Sequence, residues 1–289
     1  MTEGGDEKPD FLYHYTSIEG LANILSSKQI RFSRLDLLDD LTEGESLDPV
    51  DWRQFYFVSC WTSSEQESIP LWHMYTGNMK GVRLKLPGEM FRLYELDLET
   101  VPRAVQLFDP DLVRNNLSGK FLSYLPYARL HTEHYFVTPP SFKNDWWPLQ
   151  VVYTDEENLL KQKLIEYDAK SDKSSLNAYE LGKYKSLVWS FQEEWRFRIF
   201  CFNAISPDLE QKLGQDAYFD RLFNRIRDFS SGVPTKYLFL DLSSEALGEL
   251  EIVLGPKTDE AQKIIVESLV EKYSKSARVT ESSLSGKIG

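Results

Sequence analysis

Cysteine is scarce in this chain. Only Cys60 and Cys201 occur, both in apolar, strand-like settings, which excludes a disulfide framework or a thiolate metal site and suits reduced, buried thiols. No apolar run reaches the roughly 18 residues needed to span a bilayer. The opening segment MTEGGDEKPD has neither the basic nor the apolar region of a secretory signal, so a cytoplasmic protein with no membrane association is expected. Neither G-x-G-x-x-G nor G-x-x-x-x-G-K-[ST] is present, which argues against Rossmann and P-loop nucleotide sites. Positive charge is also short. The 33 basic residues are outnumbered by 45 acidic ones, leaving a formal charge of −12 that repels phosphate backbones and anionic lipid. Arg221, Arg225 and Arg227, like Lys183 and Lys185, lie close together and read as solvated faces rather than a basic groove.

What the chain does have is apolar and aromatic bulk. Hydrophobic residues make up 42% and aromatics 13%, enough to offset the entropy of ordering 289 residues. Alternating patterns predict strands at 11–16 (FLYHYT), 29–33 (QIRFS), 55–63, 81–86, 190–202, 236–242 and 250–254. Helices are expected at 17–28, around Trp72 and Tyr75, and from Thr258 or Asp259 to about Tyr273, after the Gly255-Pro256 break. An insertion at about 103–185 carries helical patterns near 109–126 and 156–185, separated by the aromatic stretch HYFVTPPSFKNDWWP. Many short strands with segregated helices favour an α+β fold with a mixed, antiparallel-type sheet. Residues 1–274 read as one domain and 275–289 as a flexible tail.

Four groups of residues could carry chemistry. Alternation along 11–16 places His14 and Thr16 on one face, where a strand hands over to a helix N-terminus that favours anions. The structural alternatives are a buried, satisfied imidazole and a capping box formed by Thr16 and Glu19. On 190–199 the same alternation lines up Gln192, Glu194, Arg196 and Arg198, either as an exposed ion-pair ladder or as a cleft wall. In a cleft, Glu194 would stay ionised beside Arg196 and could stabilise positive charge. Trp72 and Tyr75, three apart on a helix, could sandwich a flat heterocycle or belong to the core. Asp39, Asp40 and Glu43 are ligand types for magnesium or calcium, without the EF-hand register.

The motifs YHYTSIEGLANIL, D-D-x-x-E-G, VSCWTS, LWHMY, WSFQEEWR and EIVLGPK, in this order, resemble the bacterial domain-of-unknown-function family 2971, over about residues 11–270. That family is in turn similar at its N-terminus to DarT-like ADP-ribosyltransferases. The resemblance implies a split, mixed sheet holding NAD in a cleft, and a toxin or phage-defence effector with an antitoxin or defence partner. It also implies residue roles. His14 would hold the adenosine ribose and Thr16 the edge of the nicotinamide pocket, with Tyr13, Ser59 and Arg196 also among the cofactor-binding residues. Trp72 or Tyr75 would stack on nicotinamide, Glu194, braced by Arg196, would bind the ribose 2′-hydroxyl, and Gln192 would orient the acceptor, a protein or a nucleic acid. The chain departs from the family at Gln192, where Glu is usual, at Met74, where His is common, and at Asp39 and Leu41, where Asn and Pro stand. His73 and Met74 are therefore left out of the site.

Three functions follow as expectations. The first is an ADP-ribosyltransferase using NAD and no metal. The second is a non-catalytic nucleotide-sensing or interaction module of the same fold. The third is a metal-dependent phosphodiesterase built on Asp39, Asp40 and Glu43.

Overall fold

Strand β3 (Tyr56–Thr62) is buried along almost its whole length, as the apolar run FYFVSCWTS requires of a strand covered on both faces. In the computed structural model, which describes residues 8–97, 119–137, 148–168, 173–177 and 180–288, it sits at the centre of a ten-stranded sheet. The other strands, in chain order, are β1 (Phe11–Thr16), β2 (Gln29–Arg34), β4 (Val82–Pro87), β5 (Tyr94–Asp97), β6 (Lys120–Ser123), β7 (Tyr135–Val137), β8 (Leu149–Gln150) and β9 (Val152–Thr154). They continue with β10 (Ile165–Asp168), β11 (Lys173–Leu176), β12 (Tyr184–Ser186), β13 (Glu194–Asn203), β14 (Tyr237–Asp241), β15 (Glu251–Leu254) and β16 (Arg278–Glu281).

The pairing of β3 determines the shape of the sheet. Antiparallel β13 covers one edge of β3 from Phe200↔Tyr56 to Glu194↔Thr62. A strand has only two hydrogen-bonding edges, so β2 and β1 must share the other. β2 takes the start, at Phe57 and Val58, and β1 takes the end, at Thr62. Two arms therefore diverge from one edge, β2 with β14 and β1 with β4, β15 and β16. The fold is α+β, with a mostly antiparallel open sheet; β15 and β16 are parallel.

Helix α1 (Ile18–Ser27) follows β1 directly and buries Leu21, Ile24 and Leu25, the stripe expected of an amphipathic helix. Its N-cap is Ser17, whose hydroxyl accepts from the Gly20 amide at 3.1 Å. This corrects the Thr16–Glu19 capping box and releases Thr16 from a capping role. Helix α2 (Ile69–Tyr75) is capped by Ser68. The helix Glu260–Tyr273 begins at a reciprocal Asp259–Gln262 capping box and packs against α1. The main core runs through Leu12, Phe32, Phe57, Leu84, Phe136, Phe197 and Ile252. A second cluster joins Tyr15, Leu71, Trp72 and Met79.

The insertion is where the expectation fails. Residues 156–185 form no long helix: after a short turn at Glu157–Leu160 come the β10–β11 hairpin and β12, parallel to β9. Strand β6 likewise replaces the end of the expected 109–126 helix. The rest of that helix, to residue 118, and positions 138–147 of the aromatic stretch lie outside the described residues. The tail is also corrected. β16 extends the sheet, and Glu67 accepts hydrogen bonds from the Ser282 hydroxyl at 2.5 Å and the Ser283 amide at 2.7 Å. Leu284 and Ile288 pack on the second cluster. No described helix is long and apolar enough to cross a membrane.

Candidate active site

The two arms that leave β3 open a cleft of about 910 Å³ between them. His14, Thr16, Ser59, Cys60, Tyr75, Gln192 and Glu194 all line it, so residues about 180 positions apart in sequence meet in one hollow. Cys60 is the link. Its backbone carbonyl lies 2.9 Å from His14 Nδ1. A carbonyl can only accept, so Nδ1 carries the proton and donates, leaving the Nε2 lone pair free to accept. Burial holds the imidazole below its ordinary pKa, against the opposing pull of that hydrogen bond, and the ring is neutral at pH 7. On its other side the Cys60 side chain stands beside the Glu194 carboxylate. Burial, followed by the Glu194 charge, pushes this thiol well up. His14 also packs against Trp61, with ring centres 5.0 Å apart.

Glu194 belongs to a buried ring of alternating charge. Arg196 Nε and Nη2 reach Glu194 Oε1 at 2.9 and 2.5 Å, and Lys185 Nζ lies 3.1 Å from Glu194 Oε2. The same lysine lies 3.1 Å from Glu43 Oε2, a purely ionic contact outside hydrogen-bonding geometry, and Arg196 Nη1 is bonded to Glu43 Oε1. All four side chains are at most 6% exposed. Burial pushes the Glu194 carboxyl up, but Arg196 and Lys185 outweigh it and hold it below the ordinary glutamate value. Lys185 is held above the ordinary lysine value, because Glu194 and Glu43 outweigh its burial. Oppositely charged neighbours this close favour the ionised forms, so Glu194, Lys185 and Arg196 are charged at neutral pH.

A second chain of hydrogen bonds runs from this ring to α2. Lys185 Nζ donates to Gln192 Oε1 at 2.8 Å, and Gln192 Nε2 donates to the Tyr75 hydroxyl at 2.8 Å. That hydroxyl is held far above its ordinary pKa by burial and by the neighbouring Asp39 carboxylate.

Several expected roles need correction. Trp72 is fully buried in the second cluster, its ring edge-on to Tyr15 and its indole N–H bonded to Glu67 at 2.9 Å. It is core, and of this pair Tyr75 lines the cleft. Tyr13 borders the cleft, but its ring lies under the Arg83 guanidinium at 4.7 Å, on the side of β1 away from His14. Arg196 is fully buried behind Glu194 and does not line the cleft. Gln192 precedes β13 on a 3-10 turn, because Glu193 adopts left-handed backbone (φ 44°), and both ends of its amide are occupied. Ser59 does line the cleft, though its hydroxyl accepts from Trp61 Nε1 at 3.0 Å. Arg198 is buried, not part of an exposed ladder. The acidic trio diverges: Asp39 turns to Tyr75, Asp40 accepts from the Thr42 amide and hydroxyl, and Glu43 enters the charged ring. No cluster of three or more potential metal ligands forms among the described residues.

Two residues at this site, Lys185 and Gly20, were missed from sequence, and Glu43 was named only as a metal-ligand type. Lys185 read as a solvated neighbour of Lys183, and Glu43 as part of an acidic loop. Gly20 was passed over, yet a Cβ there would lie 2.1 Å from Thr16 Oγ1, so glycine makes room for that hydroxyl at the cleft edge. The signal was available, since glycine inside a helix costs about 1 kcal/mol relative to alanine and asks for a reason. No family model, no curated protein and no solved structure matches the chain.

Proposed function

We propose that this protein is an ADP-ribosyltransferase that moves ADP-ribose from NAD to a macromolecular acceptor. One observation carries the reading: His14 and Glu194 line the same cleft, with Cys60 between them. Breaking the nicotinamide–ribose bond passes through an oxocarbenium-like state, and a fixed, ionised carboxylate beside the sugar stabilises charge that exists only then. Glu194 would supply that carboxylate. The free Nε2 of His14 would accept a proton from a ribose hydroxyl, and Thr16 and Tyr75 would flank the ligand. The chain's resemblance to DarT-like enzymes supports the same assignment.

Glu194 receives three donors, two from Arg196 on Oε1 and one from Lys185 on Oε2, against about four acceptor positions on a carboxylate. One position on Oε2 is therefore left for a ribose hydroxyl. The two cations already neutralising this carboxylate favour the second reading, a nucleotide-sensing module that binds without turnover.

Nicotinamide release from NAD, measured with and without EDTA, separates the readings. Metal-independent release that drops on the order of 10²–10³-fold in Glu194→Gln is the expected outcome. Full turnover by Glu194→Gln sinks the assignment, and NAD binding with no release selects the sensing module.

A further inference from the structure

The loop between β2 and β3 turns twice to bring Glu43 under the cleft wall. Asp40 closes the first turn by accepting from the Thr42 amide at 3.0 Å and its hydroxyl at 2.8 Å. Gly44 makes the second with φ 70°, where a Cβ would come within 2.5 Å of Leu35 Cδ2. Between them the Glu43 side chain is completely shielded from solvent. Burying a charge this deeply is unfavourable unless it is paired, and Glu43 meets both cations of the site, Arg196 and Lys185.

We propose that Glu43 is a positioning residue: with Lys185 and Arg196 it closes a four-charge ring that fixes the Glu194 carboxylate in the cleft wall and keeps two cations from over-neutralising it. The catalytic consequence rests on the transferase reading of Glu194; the ring itself does not. Two positive and two negative charges cancel inside the ring. Without Glu43, Glu194 would face a net buried positive charge and be drawn into it. The groups facing Glu194 are Arg196 on its own strand, Lys185 on β12, Cys60 on β3, Tyr153 on β9, Tyr75 on α2 and Glu43 on the loop.

Cys60 is a built-in reporter, since it lines the cleft together with Glu194 and stands within reach of its charge. Alkylation of Cys60 by iodoacetamide is followed by mass spectrometry against pH, in the full-length parent, Glu43→Gln, Lys185→Gln and the double variant. Removing a negative charge lowers the thiol midpoint and removing a positive charge raises it, by about one pH unit each, or roughly tenfold in rate at fixed pH. The double variant returns close to the parent, and Cys201, fully buried, stays slow throughout. Faster labelling in both single variants, faster still in the double, means loosened packing and overturns the proposal. In parallel, Glu43→Gln is expected to lower kcat for nicotinamide release with KM unchanged. An unchanged kcat overturns the positioning role. Opposite Cys60 shifts in a parent that releases no nicotinamide support the ring and overturn the transferase reading instead.

Discussion

Two carboxylates, Glu194 and Asp241, each gather several partners, yet they sit in different settings. Glu194 is held by two cations with almost no solvent contact. Asp241, on the edge strand β14, collects Gln29 Nε2 at 2.6 Å, the Tyr94 hydroxyl and Arg129, in a cluster whose ion pair stays 19–29% exposed. Asp241 ties the insertion to one arm of the sheet, where water screens the charges and spares each partner full desolvation. Around Glu194, with its side chain 4% exposed, solvent screens little, so the four charges depend on one another. Such a ring adds little net stability compared with an apolar core of the same shape, but losing one member leaves an uncompensated buried charge. The first arrangement fastens; the second holds a carboxylate in place.

The largest effect expected from this contrast is that of Arg196→Met, which strips Glu194 and Glu43 of a shared partner. Urea denaturation should show a loss of about 3–5 kcal/mol. A cost no larger than that of Asp241→Asn would mean that burial does not separate the two clusters.

An intermediate effect is expected from acid. The folded-state pKa values of His14 and His131 lie below the ordinary 6.5, in both cases because burial disfavours the charged ring. The unfolded chain therefore binds the additional protons, and stability falls as pH drops below about 6.5, by up to about 1.4 kcal/mol per pH unit for each histidine. Glu194 and Asp241, with depressed carboxyl pKa values, lose their contribution only at lower pH, below their ordinary values of 4.5 and 3.8. Stability measured from pH 7 to pH 5 should fall less steeply in His14→Gln, and an unchanged slope would show that His14 takes no part.

The smallest effect is assigned to Asp241→Asn, at about 1 kcal/mol or less by urea denaturation, with nicotinamide release left at the parental rate. A larger loss, or slower release, would show that Asp241 also holds the β14 wall of the cleft, where Tyr237 and Phe239 stand.

How far the sequence could be read depends on the range of the signal. The period-2 runs FLYHYT and EWRFRIFCF gave strands where β1 and β13 are found, because alternation reports burial directly. His14 and Glu194 could be singled out for the same reason. Gln192 was taken as part of the strand, since nothing in FQEEW announces the left-handed Glu193 that starts β13 two residues later. At 156–185, lysine, glutamate and leucine favour helix by intrinsic propensity, but pairing of β9 with β12 and β10 with β11 overrides that weak preference. Lys185 and Glu43 carry no local mark of burial; a charged residue looks solvated until its partners arrive from elsewhere. The tail was underestimated for a similar reason, as RVTE has a single half-buried apolar residue, Val279, and depends on β15 for its order.

The split in the sheet makes His14 a wedge as well as a candidate ligand contact. Between the points where β2 leaves β3 and β1 joins it, an imidazole instead of another strand satisfies the Cys60 carbonyl. Any shortening of residue 14 therefore does two things together, removing an acceptor from the hollow and exposing a stretch of main chain that seeks a new partner. Loss of activity in such a variant reports chemistry only when the spacing between the arms is shown to be intact.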